Sequence, residues 1–124
     1  MAQLNLTSSI TASGLTSDTI SSTVQKVATV TQGGISRTNI TAVVGGTAQV
    51  VAAHADHTAG AYVYLKNAGA LNLFIKTEAG VNAIYNIYLT PGEWALFPWA
   101  ADNANIIAYA SAASGCLIEY GVFE

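Results

Sequence analysis

Apolar and polar residues alternate singly through much of this chain. Leu4, Leu6, Ser8, Ile10 and Ala12 alternate with polar residues, which predicts an extended strand with one apolar face, ended by Gly14. Residues 20–30 are rich in Thr and Val, but the alternation slips between Val24 and Val27, predicting a bulge or bend near Lys26. Gln32-Gly33-Gly34 predicts a turn, 35–44 a strand, Gly45-Gly46-Thr47 another turn, and 49–54 a short strand with a continuous apolar centre. Asp18-Thr19-Ile20 has the residues to cap a helix. The following Ser21-Ser22-Thr23-Val24 is β-branched and hydroxylated where a helix favours Ala, Leu, Glu or Lys, so no helix is expected.

From Gly60 onward the pattern turns aromatic. Strands are predicted over 61–67, 71–77, 83–90 and 94–99, then over 105–110 and 116–123, the last two joined by Ser111-Ala112-Ala113-Ser114-Gly115. Thr90-Pro91-Gly92-Glu93 has proline to fix φ at the second turn position and glycine to accept positive φ at the third, the chemistry of a type II turn, and predicts a tight hairpin. The spacing of about ten residues per strand predicts an all-β fold, an antiparallel sandwich or jelly roll of about eight to ten short strands with no substantial helix.

The apolar residues are unevenly supplied. Residues 1–59 hold fourteen Leu, Ile and Val and no aromatic, whereas 60–124 hold fifteen such aliphatics and all eleven aromatics. Within a single domain spanning 1–124, residues 60–124 are therefore expected to form an aromatic core half. Residues 1–45 are expected to form extended Ser/Thr-rich strands or an arm that serves assembly more than its own subunit's core, with Leu4, Leu6 and Ile10 as contact residues. Trp94 shares the register of Leu96 and is expected in the core. Trp99 follows Pro98 at a strand end and is expected at an interface or in a ligand groove.

Composition turns this pattern toward assembly. Charged residues make up 9% of the chain, where about 25% is usual, so little repulsion protects its strand edges. The formal net charge is −3, and Lys26, Arg37, Lys66 and Lys76 are widely spaced. No nucleic-acid partner is expected from such a distribution. The start, Met1 to Thr7, has neither a basic region nor an apolar run, and nowhere do about eighteen apolar residues occur together, so neither a signal peptide nor a membrane partner is expected. The single cysteine, Cys116, reads as a small buried hydrophobe in a strand.

Candidate chemistry is sparse. His54, Asp56 and His57 are a possible ligand cluster, but in an extended strand His54 and Asp56 share a face that His57 does not, and no fourth ligand is near, so no metal or other cofactor is expected. The carboxylates Glu78, Glu93, Asp102 and Glu119 are scattered, and no enzyme activity is expected. Trp99 with Asp102 and Asn103 is a candidate sugar site, since a flat ring beside fixed hydrogen-bonding side chains can hold a pyranose.

At Ala61-Tyr62-Val63-Tyr64-Leu65-Lys66-Asn67, at residues 89–98 and at Glu119-Tyr120-Gly121-Val122-Phe123-Glu124, the chain resembles small all-β virion proteins of tailed bacteriophages. In those proteins a tyrosine strand ending in Lys-Asn, a Pro-Gly-Glu turn before an aromatic strand, and a C-terminal strand ending in Phe-Glu recur around a compact sandwich. The resemblance implies a non-enzymatic capsid cement or decoration protein that stabilises the head by binding between major capsid protein subunits. It also implies a homo-oligomer, a trimer first, made in the host cytoplasm and placed on the capsid surface. The alternative is a tail or fibre module recognising a surface carbohydrate.

Overall fold

The computed structural model of the chain describes residues 2–13, 20–57, 60–77, 85–101 and 104–124. Among the described residues ten strands run in chain order: β1 (Ala2–Ala12), β2 (Ile20–Val30), β3 (Gly33–Ile40), β4 (Gln49–Ala52), β5 (Ala61–Asn67), β6 (Leu73–Lys76), β7 (Ile87–Leu89), β8 (Trp94–Trp99), β9 (Ile106–Ala110) and β10 (Cys116–Phe123). Among the described residues the single helical turn is a 3-10 segment at His54–Asp56, and no helix is long and apolar enough to cross a membrane. The chain divides into two compact units, Met1–Gln32 and Gly33–Glu124. The boundary between the units falls at Gly33.

In the second unit the strands form two four-stranded sheets, ordered β3-β10-β5-β8 and β4-β9-β6-β7, and every strand pair is antiparallel. Except for β6 and β7, which lie side by side in one sheet, successive strands alternate between the sheets in the winding of a jelly roll, the all-β sandwich expected from the alternation. Its core is aliphatic. Ile40, Val63, Leu65 and Ile118 from the first sheet and Leu73, Ile75 and Ile106 from the second are completely buried. The period of two does the sorting: in β5 the buried residues Ala61, Val63, Leu65 and Asn67 alternate with half-buried Tyr62, Tyr64 and Lys66.

That alternation corrects the expected aromatic core. All eleven aromatic residues are described, and Trp99 is the one that is buried, 7% exposed. Trp94 is 53% exposed. The two tryptophans thus exchange the places expected of them, because β8 turns Ala95, Phe97 and Trp99 toward the core and Trp94, Leu96 and Pro98 away from it. Branched aliphatics fill the narrow space between sheets about 10 Å apart, whereas a tyrosine turned outward keeps its hydroxyl in water.

One end of the sandwich is tied together by Asn67, which is fully buried. Its side-chain amide donates to the carbonyls of Leu71 (2.7 Å) and Leu89 (2.9 Å), and its Oδ1 accepts from the Gly69 N–H (3.0 Å). Its own backbone accepts from Gly92 and donates to the Glu93 carbonyl, both at 2.9 Å. Cys116 is buried as expected, its Sγ 3.2 Å from both Asn67 Oδ1 and the Leu71 carbonyl. Gly69 is required for this approach: a Cβ there would lie 2.6 Å from Cys116 Sγ and 2.7 Å from the Leu117 nitrogen.

The turn at residues 90–93 has the chemistry expected of it. Gly92 has φ +86°, the Glu93 N–H donates to the Thr90 carbonyl at 3.0 Å, and the Glu93 carboxylate accepts from the Thr90 N–H at 2.7 Å. The expected hairpin does not form, because β7 pairs with β6 and β8 pairs with β5 in the other sheet. Local turn chemistry reverses the chain; the partners of the flanking strands decide whether the reversal is a hairpin or a crossover between sheets.

The first unit is an antiparallel ribbon, β1 against β2, whose register runs unbroken from Ala2↔Val30 to Ala12↔Ile20. The expected bulge near Lys26 is absent, and Lys26 pairs directly with Leu6. The slip in alternation places Val24 and Val27 on opposite faces, and both are exposed, at 63% and 59%. A ribbon ladder needs only backbone groups, so it tolerates a misplaced valine that a buried sheet face would not.

Candidate interaction surfaces

Three surfaces are built by these strands. The first is the outer face of β3-β10-β5-β8, where register aligns Lys66 with Trp94 on one side and Glu119 on the other, and Tyr64 with Leu96 and Gly121. Phe123 lies over Gly121: a Cβ on that glycine would come 2.8 Å from Phe123 Cε2. Ile35, in β3 beside Gly121, is 61% exposed. A polar network crosses this face. Arg37 holds Glu119 Oε2 through Nε (2.8 Å) and a terminal nitrogen (2.7 Å), and the Tyr64 hydroxyl donates to Oε1 at 3.1 Å.

That network fixes the protonation of its members. The Arg37 hydrogen bond, then that of Tyr64, holds the Glu119 carboxyl below its ordinary 4.5, while burial and then the Glu119 hydrogen bond push Tyr64 above its ordinary 10.0. A lowered folded value for Glu119 means that its contribution to stability is present above pH 4.5 and is lost as pH falls through the folded value. The raised value for Tyr64 has the opposite sign: its contribution is present below pH 10.0 and lost as pH rises through the folded value. The Glu119→Gln variant is expected to lose less stability than the wild type on acidification below pH 4.5. Parallel denaturation curves against pH for the two proteins rule this out.

The second surface is the outer face of β4-β9-β6-β7. Tyr88, Phe74 and Tyr109 form a cross-strand row, with Phe74 opposite Tyr88 in β7 and Tyr109 in β9. The Phe74 ring lies 5.1 Å from Tyr88 and 5.4 Å from Tyr85, and Tyr85 meets Tyr109 edge-on at 5.5 Å. Tyr88 is 51% exposed. Sequence reading missed this cluster by assigning aromatics to the core. The signal was the position of Phe74, Tyr88 and Tyr109, one residue out of phase with Leu73, Ile75, Leu89, Ala108 and Ala110.

The third surface is the ribbon. Its even-numbered positions gather Leu4, Leu6, Ile10, Val24 and Ala28 on one face, with Lys26 among them; its odd-numbered positions gather hydroxyls and amides, including the cross-strand pair Ser9 and Thr23, joined at 3.2 Å. Leu4 and Leu6 are half-buried and Ile10 is exposed.

The other expected sites fare differently. Trp99 borders an open cleft of about 500 Å3 lined by Gly60, Ala61, Tyr62, Pro98, Trp99 and Ala100. Its ring is engaged from within by His57, edge-on at 5.5 Å, so its burial leaves no face for stacking a sugar. Asp102 and Asn103 lie outside the described residues, as does Glu78. His54–Asp56 is a 3-10 turn rather than the end of a strand. His54 Nδ1 lies 2.8 Å from Asn105 Oδ1, which also accepts from the His54 N–H at 3.0 Å, whereas His57 Nδ1 lies 3.4 Å from Glu124 Oε2. The two histidines thus serve different partners, and among the described residues no three His, Cys, Asp or Glu side chains gather around one point. No family model, no curated protein and no solved structure matches the chain.

Proposed function

We propose that this protein is a non-enzymatic structural subunit of a bacteriophage virion, a capsid cement or decoration protein that binds between major capsid protein subunits and assembles with copies of itself. The observation that carries the reading is the outward aromatic residues: Trp94 and Tyr88 are more than half exposed on opposite sheets of a chain with 9% charged residues. Tryptophan and tyrosine are the usual anchors of protein interfaces, and contiguous exposed apolar surface is what a partner covers. The virion assignment rests on the resemblance at residues 61–67, 89–98 and 119–124. Added to phage heads, the protein is expected to co-sediment and to be placed on the capsid surface by electron microscopy. Trp94→Ala and Tyr88→Ala together are expected to weaken that binding about tenfold or more, the usual cost of truncating interface anchors. Absence from the particle overturns the proposal.

A second reading, a carbohydrate-recognising tail or fibre module, is favoured by the Phe74, Tyr85, Tyr88 and Tyr109 cluster, which offers rings and phenol hydroxyls together. Binding to host-surface glycans that Tyr88→Ala abolishes supports it over the first.

A further inference from the structure

We infer that the outer face of the β3-β10-β5-β8 sheet packs against the same face of a second copy of this chain, about a two-fold axis parallel to the strands. The inference rests on the reading of the protein as an assembly subunit and names the surface through which copies pair. Register arranges the outward side chains of this face in cross-strand rows. Trp94, Lys66, Glu119 and Arg37 make one row, running from β8 through β5 and β10 to β3. Leu96, Tyr64, Gly121 and Ile35 make the next, and Pro98, Tyr62, Phe123 and Gly33 the third. Ile35 and Trp94, 61% and 53% exposed, are the apolar anchors that pairing covers.

Charge selects the occupant and the axis. A two-fold axis along the strands lays each row on its own copy in reverse order, β8 over the partner's β3 and β5 over the partner's β10. Lys66 then meets the partner's Glu119 and Trp94 the partner's Arg37, a carboxylate for the ammonium and a ring for the guanidinium, each contact made twice. Arg37 and Tyr64 already hold Glu119 at Oε2 and Oε1. The carboxylate is therefore fixed where the partner's Lys66 arrives, with lone pairs left to accept it. In the other two rows Leu96 meets the partner's Ile35, and Tyr62 and Tyr64 meet the partner's Phe123, whose ring lies over Gly121. An axis across the strands instead lays Glu119 on the partner's Phe123 and Arg37 on the partner's Gly33, which strips water from both charges without offering either a new partner.

Size sets the strength. β3 and β10 run eight residues, β5 seven and β8 six. At about 3.3 Å per residue and about 4.8 Å between strands, the face has a footprint of roughly 460 Å2, or about 920 Å2 for two copies before the relief of the side chains is counted. That lies at the threshold of about 1,000 Å2 for a specific interface, so the dimer is expected to dissociate in the micromolar range and to be reinforced when several copies sit on one particle. Its strands keep the alignment, within about 30°, of sheets packed face to face. Pairing leaves the opposite sheet, with Tyr88, turned outward from the pair. The arrangement is two-fold, where the resemblance implies a trimer.

The test is sedimentation equilibrium of the full chain. The wild type is expected to show a monomer-dimer equilibrium, Trp94→Ala to weaken it at least tenfold, and Tyr88→Ala, on the opposite sheet, to leave it unchanged. Lys66→Glu sets a carboxylate against the partner's carboxylate, and Glu119→Lys sets an ammonium against the partner's ammonium, so each variant alone is expected to remain monomeric. Mixed in equal amounts, the two variants are expected to pair with one another, because each then meets the opposite charge at both contacts. Thermal melts by circular dichroism establish that both are folded. A stable trimer, a monomer at all concentrations, equal effects of Trp94→Ala and Tyr88→Ala, or no pairing in the mixture of folded variants overturns the inference. Failure to bind phage heads with dimerisation intact counts against the virion reading alone.

Discussion

Replacing Asn67 with alanine is expected to destabilise the protein by about 3 to 5 kcal/mol, a large part of the roughly 5 to 15 kcal/mol that holds a domain folded. The side chain makes hydrogen bonds to Leu71, Gly69 and Leu89 in a site that water does not enter. Without the amide, the Leu89 carbonyl is left buried without this partner and the part-buried Leu71 carbonyl and Gly69 N–H each lose a hydrogen bond, and each such group costs about 1 to 3 kcal/mol when it stays out of water. Aspartate does not restore them: it is nearly the same size but turns a donor toward two carbonyls into a carboxylate oxygen. Urea denaturation monitored by circular dichroism measures the effect. A loss below about 1 kcal/mol for Asn67→Ala, the usual scale of a change at an exposed site, means that the corner is held by the backbone bonds at Gly92 and Glu93 instead.

Deleting residues 1–32 is expected to leave a folded, β-rich protein that binds phage heads poorly. The apolar cluster of the jelly roll draws on residues from Ile40 to Ile118 and on none from the ribbon. Every strand of the two four-stranded sheets likewise lies in Gly33–Glu124. Cooperative unfolding of the truncated chain, together with weakened binding to phage heads, is the expected result. Loss of the cooperative transition places the ribbon in the folding core. Undiminished binding places the capsid contact on the outer sheet faces, at Trp94 or Tyr88.

The sequence was legible where the physics is local. Single alternation from Leu4 to Ala12 and from Ala61 to Asn67 marks strands because successive side chains leave opposite faces of an extended backbone. Pro91-Gly92 marks a turn because proline and glycine each fix what the backbone does there. Reading failed where strands choose partners. The same turn that reverses the chain at Thr90 serves a crossover rather than a hairpin, and nothing in residues 90–93 distinguishes the two. The position of Trp94 and Trp99 failed for a related reason: the period of two separates Trp94 from Trp99, but it does not say which set faces inward until the neighbouring strand β5 shows that Ala61 and Leu65 are buried.

By itself the sequence determined an all-β chain, ten strands near their observed positions, the turn at residues 90–93 and a buried Cys116, since each depends on the preferences of a few adjacent residues. Tertiary structure decided the division at Gly33, the jelly-roll order, the aliphatic core and the outward tyrosines, and it brought Asn67 beside Leu71, Leu89 and Cys116 and Glu119 between Arg37 and Tyr64. These depend on pairings between strands as far apart in sequence as β3 and β10. Such pairings are set by which faces fit together in three dimensions, a property that no single stretch of the chain carries.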